Sequence, residues 1–216
     1  MDIEQARFNM VEQQIRTWEV LDQDILDLLF TVRREEFVPG PYRSLAFADL
    51  EVPLGEGQKM WSPKMEARVL QDLRLVPGES VLEIGTGSGY FTALLAGRGA
   101  RVTSVEINPR LADAAKARLA RAGVRDVVLR TGDGARGFSA ATFDAVVLTG
   151  STPVLPDSLV AQLKPGGRLF AVVGDPPVMT ARRVEYVGPG SWTTTDLFET
   201  VIDPLVNAAA PVRFTF

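Results

Sequence analysis

The chain contains no cysteine and no histidine. Without thiols it forms no disulfide and offers no thiolate nucleophile. Without imidazole it has no Cys or His metal site and no histidine general base. Long apolar runs are missing as well: no stretch reaches the length of a membrane span, and residues 1–10 carry Asp2 and Glu4 where a signal peptide would carry positive charge. Nor is there a large excess of charge, since a net charge of -4 creates no basic field for nucleic acid or anionic membrane. Internal repeats and low-complexity tracts do not occur. These absences lead to the expectation of a cytoplasmic protein with no metal, no nucleic-acid partner and no membrane partner.

What is present is an ordinary globular composition. The 216 residues, 46% apolar and 23% charged, suffice for one well-buried core and are few for two. The expected organisation is a single domain over residues 1–216. Its parts are N-terminal helices and a loop (1–78), a ligand-binding core (79–175), and C-terminal strands with a tail (176–216).

The core centres on VLEIGTGSGY, residues 81–90, an apolar strand followed by glycines at 85, 87 and 89 and then an apolar helix pattern. Glycine suits such a turn because the chain leaves the strand through strained dihedrals and a side chain would keep a ligand from the backbone amides at the helix start. The G-x-G-x-G spacing departs from the dinucleotide fingerprint, and the turn lacks the lysine of a P-loop. A ligand without a pyrophosphate is favoured. S-adenosylmethionine fits, having a compact zwitterionic end and a ribose that needs an acid. Glu106, closing the apolar run RVTSVEI at residues 101–107, supplies that acid at the interval an open α/β sheet uses. Methyl transfer from a sulfonium to a carboxylate needs no histidine, because the acceptor is already deprotonated at neutral pH.

Strands expected at 81–85, 101–107, 126–131, 143–149 and 167–174 alternate with helices at 90–98, 109–122 and 156–163. This pattern predicts an α/β fold, a doubly wound, mostly parallel Rossmann-like sheet. Residues 184–187 and 192–202 read as two further strands joined through Gly188-Pro189-Gly190, an antiparallel edge that would also permit a weak homodimer. At the other end, a helix over 4–18 places Phe8, Val11, Ile15 and Trp18 on one face. A second spans 22–32, and residues 40–60 have loop composition with Tyr42, Leu45, Phe47 and Leu50 as packing groups. The helix over 63–73 starts with Ser62 as N-cap and Pro63 in its first turn, so the segment GEGQKMWS at 55–62 is a candidate wall of the ligand site.

Several of these stretches together resemble the protein-L-isoaspartate O-methyltransferases: MVEQQIR at 10–16, REEFVP at 34–39, Gly57-Gln58, VLEIGTGSGY, GDG at 132–134, FDAVVLT at 143–149 and LKPGGRL at 163–169. The resemblance implies an enzyme using S-adenosylmethionine to methylate the side-branched carboxylate of isoaspartyl residues in a protein or peptide, a repair reaction. It further implies that Gly85, Thr86, Gly87 and Gly89 line the methionine end of the cofactor, that Glu106 holds the ribose hydroxyls and Asp133 with Gly134 the adenine, and that Glu83, Ile107, Gly132 and Thr149 are also cofactor-binding. Thr149 and Pro153 stand where the family lines its substrate groove. A turn-forming Asx residue is the second reading of Asp133.

Two departures from the family pattern stand out. The family's catalytic serine position after Gly-Gln is occupied by Trp61, within Lys59, Met60, Trp61, Ser62, Pro63. An indole offers only an N–H donor and fills far more volume than a hydroxyl, although beside a sulfonium it would make a cation-π contact. Ser62, one place later, is either an N-cap or a relocated catalytic hydroxyl; Lys59, with Met60 beside it, either meets a substrate carboxylate or is solvated. The second departure concerns the family's Val-Arg-Phe-Val-Pro-Leu segment, for which residues 200–205 (TVIDPL) and 211–216 (PVRFTF) compete. Besides isoaspartyl methylation, the sequence leaves open another methyl acceptor on the same scaffold, or a non-catalytic S-adenosylmethionine-binding protein.

Overall fold

The computed structural model describes residues 2–188 and 190–210. Helix α1 (Ile3–Asn9) starts on Asp2, whose carboxylate accepts from the Glu4 and Gln5 amides. It passes into a π-helical turn (Met10–Ile15) and then a 3-10 turn (Arg16–Trp18), so the single helix expected here is three pieces. A π turn takes more residues per turn and rotates the buried face. Met10, Val11 and Ile15 point inward, whereas Phe8, expected in the core, is 50% exposed. Helix α2 (Gln23–Thr31), capped by Asp22, buries Ile25, Leu26 and Leu29.

The stretch expected to be loop holds a hairpin, β1 (Val52–Gly55) with β2 (Gln58–Met60). Glu56 and Gly57 both take positive φ, 53° and 73°, the handedness that suits a two-residue hairpin connection. Of the expected packing groups Phe47 is buried and Leu50 half-buried, but Tyr42 and Leu45 are exposed. Helix α3 (Pro63–Leu73) follows at the predicted position.

The large sheet comprises β3 (Ser80–Ile84), β4 (Arg101–Glu106), β5 (Val127–Thr131), β6 (Phe143–Leu148), β7 (Leu163–Asp175), β8 (Val178–Gly188) and β9 (Ser191–Glu199). Their order is β5-β4-β3-β6-β7-β8-β9; the first five run parallel and the last two antiparallel to their neighbours. Helices α4 (Tyr90–Gly97) and α5 (Pro109–Arg121) connect β3 to β4 and β4 to β5. The winding direction reverses at β3, between β4 and β6, and a crevice opens at the carboxyl ends there.

Three boundaries differ from expectation. Helix α6 (Asp157–Val160) is a single turn, and β7 begins at Leu163. Leu163 pairs with Phe143 of β6, and the Phe143 amide donates to the Gln162 carbonyl at 2.8 Å, so the sheet takes up the end of the expected helix. Strand β8 begins at Val178, six residues before the expected start, because buried Met179, Ala181 and Arg183 alternate inward and the arginine disguises the pattern. Beyond β9 the chain returns to the end of β6: the Ser151 amide donates to the Asp203 carbonyl at 3.0 Å and the Leu205 amide to the Ser151 carbonyl at 2.9 Å. Residues 211–216, the competing C-terminal segment, lie outside the described residues.

Candidate active site

The turn after β3 shows why glycine is needed. Gly85 has φ +99°, and a Cβ there would lie 2.1 Å from Thr149 Oγ1. That hydroxyl lies 2.9 Å from the Ile84 carbonyl and 2.7 Å from the Gly85 carbonyl, tying β3 to the end of β6. The Gly87 amide donates to Glu106 Oε2 at 2.9 Å, and the Asn108 amide to Glu106 Oε1 at 3.0 Å. Two backbone donors therefore orient the Glu106 carboxylate, and each oxygen keeps lone-pair capacity for a further hydroxyl.

A cavity of about 720 Å³, including its open mouth, occupies the crevice. One side is made by Gly85, Gly87, Glu106, Ile107 and Thr149, with Gly132, Asp133 and Gly134 at the far end. Asp133 fulfils both sequence readings: Oδ1 accepts from the Ala135 amide at 2.9 Å in an Asx turn, while the residue lines the cavity and Oδ2 accepts from Asn207 Nδ2. Lys59, Trp61 and Ile202 to Leu205 form the other side. Hence Ile202 to Leu205, within the 200–205 segment, line the site. An adjoining recess of about 320 Å³ is lined by Met60, Glu66, Thr86, Ser88 and Phe91, and it shares Gly85, Gly87, Lys59, Trp61 and Thr149 with the main cavity.

Four expected site residues stand elsewhere. Glu83 is fully buried beneath the turn, accepting from Ser104 Oγ at 2.6 Å and Thr92 Oγ1 at 2.5 Å; Ser104 in turn lies 2.6 Å from Thr86 Oγ1. Burial pushes its carboxyl up to about 8, against the pull of the Ser104 and Thr92 hydrogen bonds and with the Glu106 charge adding to the rise. Glu83 supports the glycine turn through hydroxyls and does not line the cavity. Gly89 is the N-cap of α4, with Ala115 and Leu119 packed where its Cβ would be. Ser62 occupies the N-cap position of α3, but its hydroxyl makes no capping bond. It lines a surface recess with Asp49 and Lys64, not the cavity. Pro153 lies outside the cavity wall.

Trp61 is 6% exposed and stacked edge-on against Phe91 (5.4 Å) and Phe170 (6.3 Å), with no partner for its Nε1 among the described residues. Its ring separates the cavity from the core. Its carbonyl accepts from Arg34 Nη2, and the same guanidinium donates to the Ala46 carbonyl and to Glu66 Oε2, both at 2.9 Å. Lys59 Nζ lies 3.0 Å from Asp203 Oδ2 and 3.5 Å from Glu51 Oε2 at the cavity mouth. The Asp203 hydrogen bond, then the Glu51 and Asp203 charges, raise the lysine's pKa, so it stays protonated at neutral pH. The two departures from the family pattern, far apart in sequence, meet in one ion pair.

Sequence reasoning missed Glu66 and Glu51. For Glu66 a signal existed: it shares a helical face with Leu70 and Leu73, both buried.

No lysine stands in the glycine turn to take a pyrophosphate, whereas an oriented acid ends β4 and an aspartate follows β5. This is the arrangement of a Rossmann-like S-adenosylmethionine-dependent methyltransferase, and the chain is one. The model of the family described as Protein-L-isoaspartate(D-aspartate) O-methyltransferase (PCMT) matches residues 5–209. A protein-L-isoaspartate O-methyltransferase of Methylorubrum populi is 40% identical over 203 residues, covering 94% of this chain and 95% of the relative. Another from Methanoculleus marisnigri is 43% identical over 169 residues, covering 78% and 77%. Among solved structures, a Plasmodium falciparum chain in complex with S-adenosyl-L-homocysteine shares the fold at TM-score 0.77 and 18% identity, covering 92% of this chain and 97% of that one. The chain belongs to the protein-L-isoaspartate O-methyltransferase family.

Proposed function

We propose that the chain methylates the side-branched carboxylate of isoaspartyl residues in proteins or peptides, and that it does so without a serine at position 61. The observation that supports this most is the meeting of Lys59 and Asp203 at the mouth of the cavity, between the cofactor side and the 202–205 backbone. Glu106 holds the ribose hydroxyls, Asp133 and Gly134 take the adenine edge, and the Gly85 to Gly87 backbone lies along the path to the methionine end. Bound S-adenosylmethionine supplies an electrophilic methyl on its sulfonium, so that an O–CH3 bond forms as the S–CH3 bond breaks and its electrons go to sulfur.

The chain's own part is positioning. A carboxylate acceptor is ionised at neutral pH, so no residue has to remove a proton. Lys59 offers a fixed positive charge to a carboxylate entering over Trp61, in place of the hydroxyl that the family pattern puts there. Asp203 and Glu51 hold the ammonium at the mouth while leaving it a further donor. Of the 202–205 backbone, the Asp203 amide and the Pro204 carbonyl have no partner among the described residues and are left for a peptide.

The experiment is a steady-state comparison of wild type with Lys59→Met on an isoaspartyl peptide. The peptide KM is expected to rise roughly tenfold, the loss of one charge-assisted hydrogen bond, while the KM for S-adenosylmethionine stays unchanged. Equal peptide KM values would remove Lys59 from the substrate side.

A further inference from the structure

The recess beside the glycine turn contains a single carboxyl, that of Glu66. Helix α3 carries it one turn in from Ser62 and Pro63, and it is 2% exposed. A carboxyl so buried is costly unless it is paired. Only half of it is: Oε2 accepts from Arg34 Nε at 2.9 Å, and Oε1 has no hydrogen bond among the described residues. Each Arg34 nitrogen has one partner, since Nη1 donates to the Ala46 carbonyl and Nη2 to the Trp61 carbonyl.

The position of the recess limits what can occupy it. A ligand with its ribose on Glu106 and its adenine by Asp133 must pass Gly85 and Gly87 to extend further, and these glycines are shared with the recess. The end of such a ligand would meet the hydroxyls of Thr86 and Ser88, the rings of Trp61 and Phe91, and the Glu66 carboxyl. The cation of the recess, Lys59, is held at the cavity mouth by Asp203 and Glu51, and no ion pair joins it to Glu66 among the described residues. The chemistry left unanswered there is an acceptor without a donor, in a recess that adjoins the main cavity.

We propose that Glu66 Oε1 receives the α-ammonium of the cofactor's methionine end, making Glu66 the residue that distinguishes a full amino-acid tail from a truncated one. The assignment rests on the S-adenosylmethionine reading of the cavity. The ammonium completes the pairing that Arg34 leaves half done. Burial pushes the Glu66 carboxyl up to about 7, opposed by the Arg34 charge and hydrogen bond, so a second cation beside it favours its ionised form.

The test compares binding of two nucleosides by calorimetry at pH 8: S-adenosylhomocysteine, which has the amino-acid tail, and 5′-methylthioadenosine, which lacks it. Glu66→Gln keeps the acceptor for Arg34 but not the charge. It is expected to weaken S-adenosylhomocysteine at least tenfold and to leave 5′-methylthioadenosine within twofold of wild type. The second ligand thus reports whether the variant's adenosine site is intact. Glu66→Asp, which retains the charge, is expected to restore part of the loss. Equal weakening of both ligands, or no change in either, would overturn the Glu66 assignment alone. Wild-type protein binding neither would overturn the cofactor reading and the assignment with it.

Discussion

Trp61 is where a single residue most changes the meaning of the site. Set against Phe91 and Phe170 and 6% exposed, it belongs to the core as much as to the cavity wall. Restoring the family's residue would therefore not restore a small hydroxyl in an unchanged setting. Trp61→Ser is expected to lower the unfolding free energy by about 3–5 kcal/mol, the usual cost of a large cavity in an aromatic cluster, read as a fall in the urea midpoint with little change in slope. An unchanged midpoint would mean that the ring contributes little packing. The sequence makes the replacement visible but not its consequence, because an aromatic in a loop reads alike whether it faces solvent, ligand or core. Glu66 presents the opposite case: its spacing from Leu70 and Leu73 marks it as buried, yet nothing in the sequence names Arg34 as its partner.

The elements of the cofactor half are legible because each obeys one strong local rule. Pro109 and Asn108 start α5, with the Asn108 side chain accepting from the Arg110 and Leu111 amides, and apolar runs mark β3, β4 and β6. The hairpin of β1 and β2, the shortened α6 and the early start of β8 are harder to read. They depend on a turn's handedness, the pairing of Leu163 with Phe143 and an inward arginine. One contact below the sequence's reach joins three elements: Glu83 of β3 with Ser104 of β4 and Thr92 of α4. Folding raises the Glu83 pKa from an ordinary 4.5 to about 8, so the native state binds the extra proton. That contribution to stability is complete below about 4.5 and is lost as pH rises through about 8. Glu83→Gln, neutral throughout, should flatten the decline of stability between those limits by roughly 2–4 kcal/mol, measured by urea unfolding at several pH values. Parallel profiles for the variant and wild type would contradict it. Glu66, raised to about 7, keeps part of the slope in the variant.

On the scale of the whole molecule, the sheet reverses direction at β3 and gathers Gly85, Glu106, Asp133 and Thr149 at one crevice, as the alternation of strands and helices implies. The closing wall is not implied by any local pattern. It forms because the chain, after β9, comes back to Ser151 and places Asp203 against Lys59. Placing 202–205 at the site needed that long-range contact, and two anomalies in sequence became one feature in space. The account stands on the claim that this wall serves isoaspartyl methylation with no serine at position 61. The direct measurement is transfer of labelled methyl from S-adenosylmethionine to an isoaspartyl peptide and to its aspartyl isomer, with S-adenosylhomocysteine binding verified in the same preparation. The account predicts base-labile label on the isoaspartyl peptide and none on its isomer. Bound S-adenosylhomocysteine with no label on either peptide would contradict it.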